Sequence, residues 1–164
     1  MVASDIASIV LAVCVAFLVA GCGNEALRVN ATVARAMLEV QAESGPVIRE
    51  LRVNAGVEAG REAHDRGAPE AEAQAAATAA ASAWQCAIDG HGIYASAVGA
   101  YIDALALWAN GVELELADAL PFVRRAIDAY GFLASCLRSL GSDALPDAPS
   151  FLNLIPPVWS VTDG

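Results

Sequence analysis

The sequence predicts an all-α protein: an antiparallel bundle of three to four helices with an irregular, Pro-rich C-terminal strap, preceded by an apolar N-terminal signal or anchor helix. Three observations predict it. Apolar residues recur at steps of three and four through most of the stretch from 24 to 141, 37 of the 164 residues are alanine, and Gly and Pro stand where the periodic stretches stop. The length suits one domain, at most two. Its 57% hydrophobic content and mean hydropathy of +0.49 exclude an intrinsically disordered chain. Much of that content is alanine, which favours helix and adds little to a core, so large apolar side chains are scarcer than the percentage suggests. A formal charge of −10 and a pI near 4.4 argue against nucleic acid as a partner, because binding without base readout needs Lys and Arg to neutralise phosphates.

The first element is the run 6–21, IASIVLAVCVAFLVAG, which has no charge and only Ser8 as a polar side chain. It ends at Cys22 and is followed by Gly23, Asn24 and Glu25. A comfortable membrane span needs about 20 residues. This run is shorter and fits the apolar region of a secretory signal, with small residues just before the break.

Val19-Ala20-Gly21-Cys22, preceded by Leu18, resembles the lipobox of bacterial lipoprotein precursors. The resemblance covers residues 1–23 and implies cleavage after Gly21, with lipid on the Cys22 thiol and on the new amino terminus. Glycine at position 23, where aspartate would favour retention in the inner membrane, implies the periplasmic face of the outer membrane, the inner membrane being the alternative. Two acyl chains hold a protein on a bilayer stably, whereas one gives marginal binding. Residues 1–5 (MVASD) carry no Lys or Arg, although secretory signals begin with positive charge. That departure leaves open an uncleaved membrane helix or a buried apolar helix.

The chain thus divides into 1–21 as signal peptide or membrane anchor, 22–141 as helical bundle domain and 142–164 as irregular tail. Losing residues 1–21 removes Asp5 and leaves −9. Residues 22–67 hold six arginines against seven acids, and 68–164 three against eleven, so the membrane-proximal part is near neutral and the distal part acidic. All nine basic residues are Arg.

From Asn24 to Arg66, Leu27, Ala31, Ala34, Leu38, Gln41, Ile48, Leu51 and Ala55 follow helical spacing, interrupted by Ser44-Gly45-Pro46. Two helices, or one kinked at Pro46, are expected. Arg35/Glu39 and Glu62/Arg66 are spaced to pair on a solvated face. Gly56-x-x-x-Gly60 has the spacing of close-packed membrane helices, but Glu58, Arg61 and Glu62 surround it and exclude a transmembrane contact.

Gly67-Ala68-Pro69-Glu70 reads as a helix stop followed by a start, with Pro69 at the first helical position. A long helix toward Asn110 follows. Its first third is nearly featureless alanine. Its later part carries a packing stripe of Trp84, Ile88, His91, Ala95, Val98, Ile102 and Leu105, edged by Tyr94, Tyr101 and Trp108. Asp89-Gly90-His91-Gly92 marks a kink or turn within it. After a turn at Asn110-Gly111, a last helix from Glu113 to Gly141 presents Leu116, Leu120, Val123, Ile127, Tyr130, Ala134 and Leu137. Pro121 either kinks it or begins it. The tail holds Pro146, Pro149, Pro156 and Pro157 with many apolar groups. Phe151, Leu154 and Trp159 are its candidate partner contacts, the plainer reading being that it packs back along a helix groove.

With Cys14 in the signal run and Cys22 in the lipobox, Cys86 and Cys136 remain. In an oxidising compartment they would pair and tie two helices together, the alternative being two buried thiols. A Cys86/His91 nucleophile pair is disfavoured, since a spacing of five separates the side chains on a helix and no third orienting group is evident. His64 and His91 lie in no metal-ligand pattern, with His64 expected at the surface and His91 within or beside the core. Glu113 and Glu115 suit a helix N-terminus better than a cleft. No GxSxG, P-loop or GxGxxG occurs, and Asn30-Ala31-Thr32 fits a glycosylation sequon that means nothing in a bacterium.

The sequence is therefore expected to encode a lipid-anchored envelope lipoprotein, bacterial or phage-encoded, with a non-catalytic structural or protein-interaction role. No catalytic residue, cofactor or metal is expected. Its partners would be the membrane, through acylated Cys22, and other envelope proteins. The alternative is a small integral or virion-associated protein retaining 6–22 as a membrane helix.

Overall fold

The computed structural model describes residues 25–111 and 116–142. Among the described residues 91% are helical and none is in a strand, giving an all-α helical bundle. The elements are α1 (Glu25–Asp65), α2 (Glu70–Ala83), α3 (Gln85–Ala109) and α4 (Leu116–Ser139). Only Trp84 separates α2 from α3, so the described residues make three helical stretches. The apolar N-terminal segment and the strap from 143 onward lie outside the described residues.

Of the two arrangements expected at Ser44-Gly45-Pro46, two helices or one, the chain takes the single helix, α1 running through Pro46 for 41 residues. An interior proline costs about 3 kcal/mol or more by removing a donor and crowding the preceding turn. Burial of Ser44 and Ile48 on either side of Pro46 holds the helix across it, tertiary packing outweighing local preference. At its C-terminus, Gly67 takes φ 80°, its N–H donating to the His64 carbonyl at 2.8 Å while the Ala68 N–H donates to Ala63 at 3.1 Å. This pair of bonds is a Schellman cap, which needs the left-handed conformation glycine adopts freely. Gly141 (φ 71°) ends α4 in the same way, with bonds to Arg138 and Leu137.

Pro69 stands just ahead of α2 instead of at its first position, its carbonyl accepting from the Glu72 and Ala73 N–H groups. The weak point expected at Asp89–Gly92 is helical, and the interruption falls at Trp84 instead. Gly90 has a packing role there: a Cβ on it would lie 3.1 Å from Leu133 Cα, so this glycine serves a close helix–helix approach. Pro121 begins nothing, lying inside α4. Tyr94 and Tyr101, expected at the edge of the stripe on α3, are at its centre, each fully buried.

The chain forms two compact units. Among the described residues, the first comprises 25–40, 95–111 and 116–127. Its described core joins Leu27, Val33, Ala34 and Met37 of α1, Val98, Tyr101, Ile102 and Leu105 of α3, and Ala119, Val123 and Ala126 of α4.

The second comprises, among the described residues, 41–94 and 128–142. Here Gly45 lies beside His91, Ile48 packs with Trp84 and Ala87, Gly56 faces Ala77 and Ala81, and Gly60 faces Ala73 and Ala77. Rising numbers on α1 against falling ones on α3 and α2 make this an antiparallel hairpin turned at Gly67. A Cβ on Gly56 would lie 3.2 Å from the Ala77 carbonyl oxygen, and one on Gly60 would lie 3.2 Å from Ala77 Cβ. The Gly56-x-x-x-Gly60 spacing thus seats the alanine helix against α1, close to backbone contact. The contacts of α4 with α3 are also antiparallel: Cys136 with Cys86, Leu133 with Gly90, Tyr130 with Tyr94.

Candidate functional site

The seam between α3 and α4 in the second unit gathers the most chemistry. Gln85 opens α3, which puts Cys86 in its first turn; Cys136 lies in the last turn of α4. Their sulfur atoms are at disulfide-bonding distance, with Cα atoms 5.7 Å apart and 50 residues of sequence between them. The two ends differ in exposure. Cys136 is 4% exposed within the cluster of Ile48, Trp84, Ala87, Leu133 and Leu137, whereas Cys86 is on the surface. Farther along the seam the Tyr94 and Tyr130 rings meet edge to face, centroids 5.8 Å apart. Burial, and secondarily Tyr130, pushes the Tyr94 phenol well above its ordinary value, so it stays neutral.

Across the hairpin in the same unit, His91 is half-buried and its Nε2 is 3.1 Å from the Gln41 carbonyl. In the tautomer with the proton on Nε2, the ring donates to that oxygen, which also accepts from the Ser44 hydroxyl at 3.4 Å. Gly45 makes room: a Cβ on it would lie 3.1 Å from His91 Nε2. His91 thus ties down the helical turn ahead of Pro46. Cys86 and His91 form no nucleophile pair, since the Cys86 sulfur is directed to Cys136. His64 is exposed near the end of α1.

In the first unit a polar pair is built into the apolar core. Asn30 and Tyr101 are both fully buried, and the Tyr101 hydroxyl lies 2.5 Å from Asn30 Oδ1 and 3.2 Å from the Asn30 carbonyl, donating to them. Burial pushes the Tyr101 phenol up as well. This pair was missed in the sequence, where Asn30 registered only as a sequon. The available signal was its place one turn from Leu27 and Ala34 on the apolar face, where a polar side chain needs a buried partner.

Of the spaced ion pairs, Arg35 and Glu39 meet at 3.1 Å on the surface. Glu62 and Arg66 do not pair through side chains; α1 stops at Asp65, and only the Arg66 N–H reaches back to the Glu62 carbonyl. Among the described residues no group of three or more His, Cys, Asp and Glu could hold a metal. The span Glu70–Ala109 is long and apolar enough to cross a membrane by length and composition. Part of that span is buried in the fold, with Trp84, Tyr94, Val98, Tyr101 and Leu105 as core residues. Gly21, Cys22, Glu113, Glu115, Phe151, Leu154 and Trp159 lie outside the described residues. In comparison with known proteins, no family model, no curated protein and no solved structure matches this chain.

Proposed function

We propose that the chain is a lipid-anchored envelope lipoprotein, held on the periplasmic face of the outer membrane by acylated Cys22, with a non-catalytic structural or protein-interaction role. The observation that carries this reading is the sequence Leu18-Val19-Ala20-Gly21-Cys22 at the end of an uncharged run of signal length. With α1 beginning at Glu25, two residues separate the anchor from the bundle, so the helices would stand directly on the bilayer. An oxidising compartment also suits a Cys86–Cys136 bridge. The strap, through Phe151, Leu154 and Trp159, would offer apolar contacts to other envelope proteins.

The second reading, an integral protein retaining 6–22 as a membrane helix, is favoured by the missing positive charge in residues 1–5. Mass spectrometry of the N-terminal peptide from the membrane fraction separates the two. A product beginning at Cys22 and carrying acyl chains is expected. An intact terminus at Met1 or Val2 sinks the lipoprotein reading, as does a Cys22→Ser chain that remains lipidated.

A further inference from the structure

We propose that Cys86 is a thiol-exchange site: the Cys86–Cys136 bridge is opened by a dithiol that attacks at Cys86 with Cys136 as the thiol that leaves, and it re-closes by the reverse exchange, in which a disulfide forms a mixed disulfide with Cys86 that Cys136 then attacks. The inference stands on the seam between α3 and α4 and does not depend on how residues 1–22 are processed.

Thiol–disulfide exchange requires a thiolate to approach one sulfur roughly in line with the bond that breaks. Cys136 is buried in the cluster of Ile48, Trp84, Leu133 and Leu137, which restricts access to its sulfur. At Cys86 the approach comes from solvent, because this residue is on the surface. The attacking thiolate forms a mixed disulfide with Cys86 Sγ, and the Sγ–Sγ bond breaks. Cys136 leaves with the electron pair and takes up a proton. The second thiol of the dithiol, as its thiolate, then attacks the first, closing its own disulfide and releasing Cys86 as a thiolate. Two electrons pass from dithiol to bridge.

The release step is favoured by position. Cys86 is exposed, so water solvates the thiolate as it departs, a solvation that a cysteine in an apolar cluster would lack. With a monothiol the reaction stops at the mixed disulfide, and Cys136 is held by its packing within reach to reverse it.

The test is peptide-resolved labelling of the full chain as isolated. Cleavage at arginine separates Cys86 (in 67–124) from Cys136 (in 126–138) and from Cys14 and Cys22 (in 1–28). Native protein is treated with graded dithiothreitol, or with reduced glutathione, and free thiols are trapped with a maleimide. Opening in native buffer is expected, with glutathione on Cys86 at least tenfold over Cys136. Glutathione divided evenly, or mainly on Cys136, overturns the proposal, and so does a bridge that opens only in denaturant or is absent from the isolated protein. A second measurement uses single variants checked for intact helicity. The free thiol of Cys136→Ser should react with 4,4′-dithiodipyridine at least tenfold faster than that of Cys86→Ser, and equal or reversed rates refute the assignment.

Discussion

Replacing Gly90 by alanine tests the α3–α4 seam most sharply when set against the same change two residues along. Both glycines are in α3, and a Gly→Ala change in a helix interior gains about 1 kcal/mol from propensity alone. At Gly92 a Cβ would meet nothing within 4 Å, so the whole gain should appear. At Gly90 it would lie 3.1 Å from Leu133 Cα, 3.3 Å from Phe132 Cδ1 and 3.4 Å from Leu133 Cβ. The Phe132 ring can swing aside, but the Leu133 backbone is part of α4, so the helices must part by a few tenths of an ångström. Overpacking of this kind costs about 1–3 kcal/mol. Gly90→Ala should therefore range from neutral to about 2 kcal/mol destabilising. The difference between the two variants removes the propensity term and isolates the packing cost of about 1–3 kcal/mol. Urea unfolding followed by far-UV circular dichroism, with the bridge oxidised throughout, measures it. In thermal melts the same difference appears as roughly 4 °C per kcal/mol for a domain of this size. If Gly90→Ala stabilises as much as Gly92→Ala, the close approach at Leu133 does not exist and the register of the seam is misread.

Removing the Tyr101 hydroxyl leaves the Asn30 side chain buried without that donor, so Tyr101→Phe should cost about 1–3 kcal/mol. In a double-mutant cycle, Tyr101→Phe with Asn30→Leu should cost less than the sum of the two single changes; strict additivity in denaturant melts would refute the pairing. The tyrosines also set an alkaline limit. Tyr94 and Tyr101 have folded-state values raised above the unfolded phenol, so their contribution is complete below pH about 10 and is lost as pH climbs beyond it. The expected slope is about 1.4 kcal/mol per pH unit for each group. Tyr101→Phe should remove one share of it, and stability unchanged between pH 10 and 11 would contradict the burial of both rings. Cys86→Ser and Cys136→Ser should each lower stability by about 4 kcal/mol, the chain-entropy value for a loop of about 50 residues. A pair of variants as stable as the parent would mean that the bridge does not constrain the chain.

Helix existence and helix ends were readable because their causes are local. Gly67, Gly111 and Gly141 each adopt positive φ where a periodic stretch stops, and the spacing rule needs nothing beyond the neighbouring turn. What the sequence hid were features decided by a distant residue. At Pro46 the local cost leaves open two helices or one, and burial of Ser44 and Ile48 decides for one. Gly90 looked like a weak point because its partner Leu133 lies 43 residues away. Tyr94 and Tyr101 fall at the edge of a stripe whose spacing runs through Ile88, His91 and Ala95, which are only half-buried, whereas Tyr101 is central once Asn30 supplies its partner. Within the candidate site, elimination leaves Cys86 and Cys136 as the pair, but the asymmetry between an exposed and a buried cysteine comes from packing around Trp84 and Leu137.

Alanine's role changes most under this comparison. As composition it inflates hydrophobicity without adding much core, and the first third of the stretch after Pro69 reads as filler. In the second unit Ala73, Ala77 and Ala81 recur every four residues on the face of α2 that meets Gly56 and Gly60 of α1. Neither stripe buries much area, so the contact gains from approach distance: with no side chain beyond Cβ, backbone and Cβ atoms reach dispersion range along the contact. Such a contact has little volume to yield, so substitution by anything larger should separate the helices instead of repacking them. It also adds few large side chains to the core, which leaves the second unit dependent on the cluster around Trp84 and on the covalent tie between Cys86 and Cys136. The exposed end of that tie is therefore where a chemical change reaches the stability of the unit most directly.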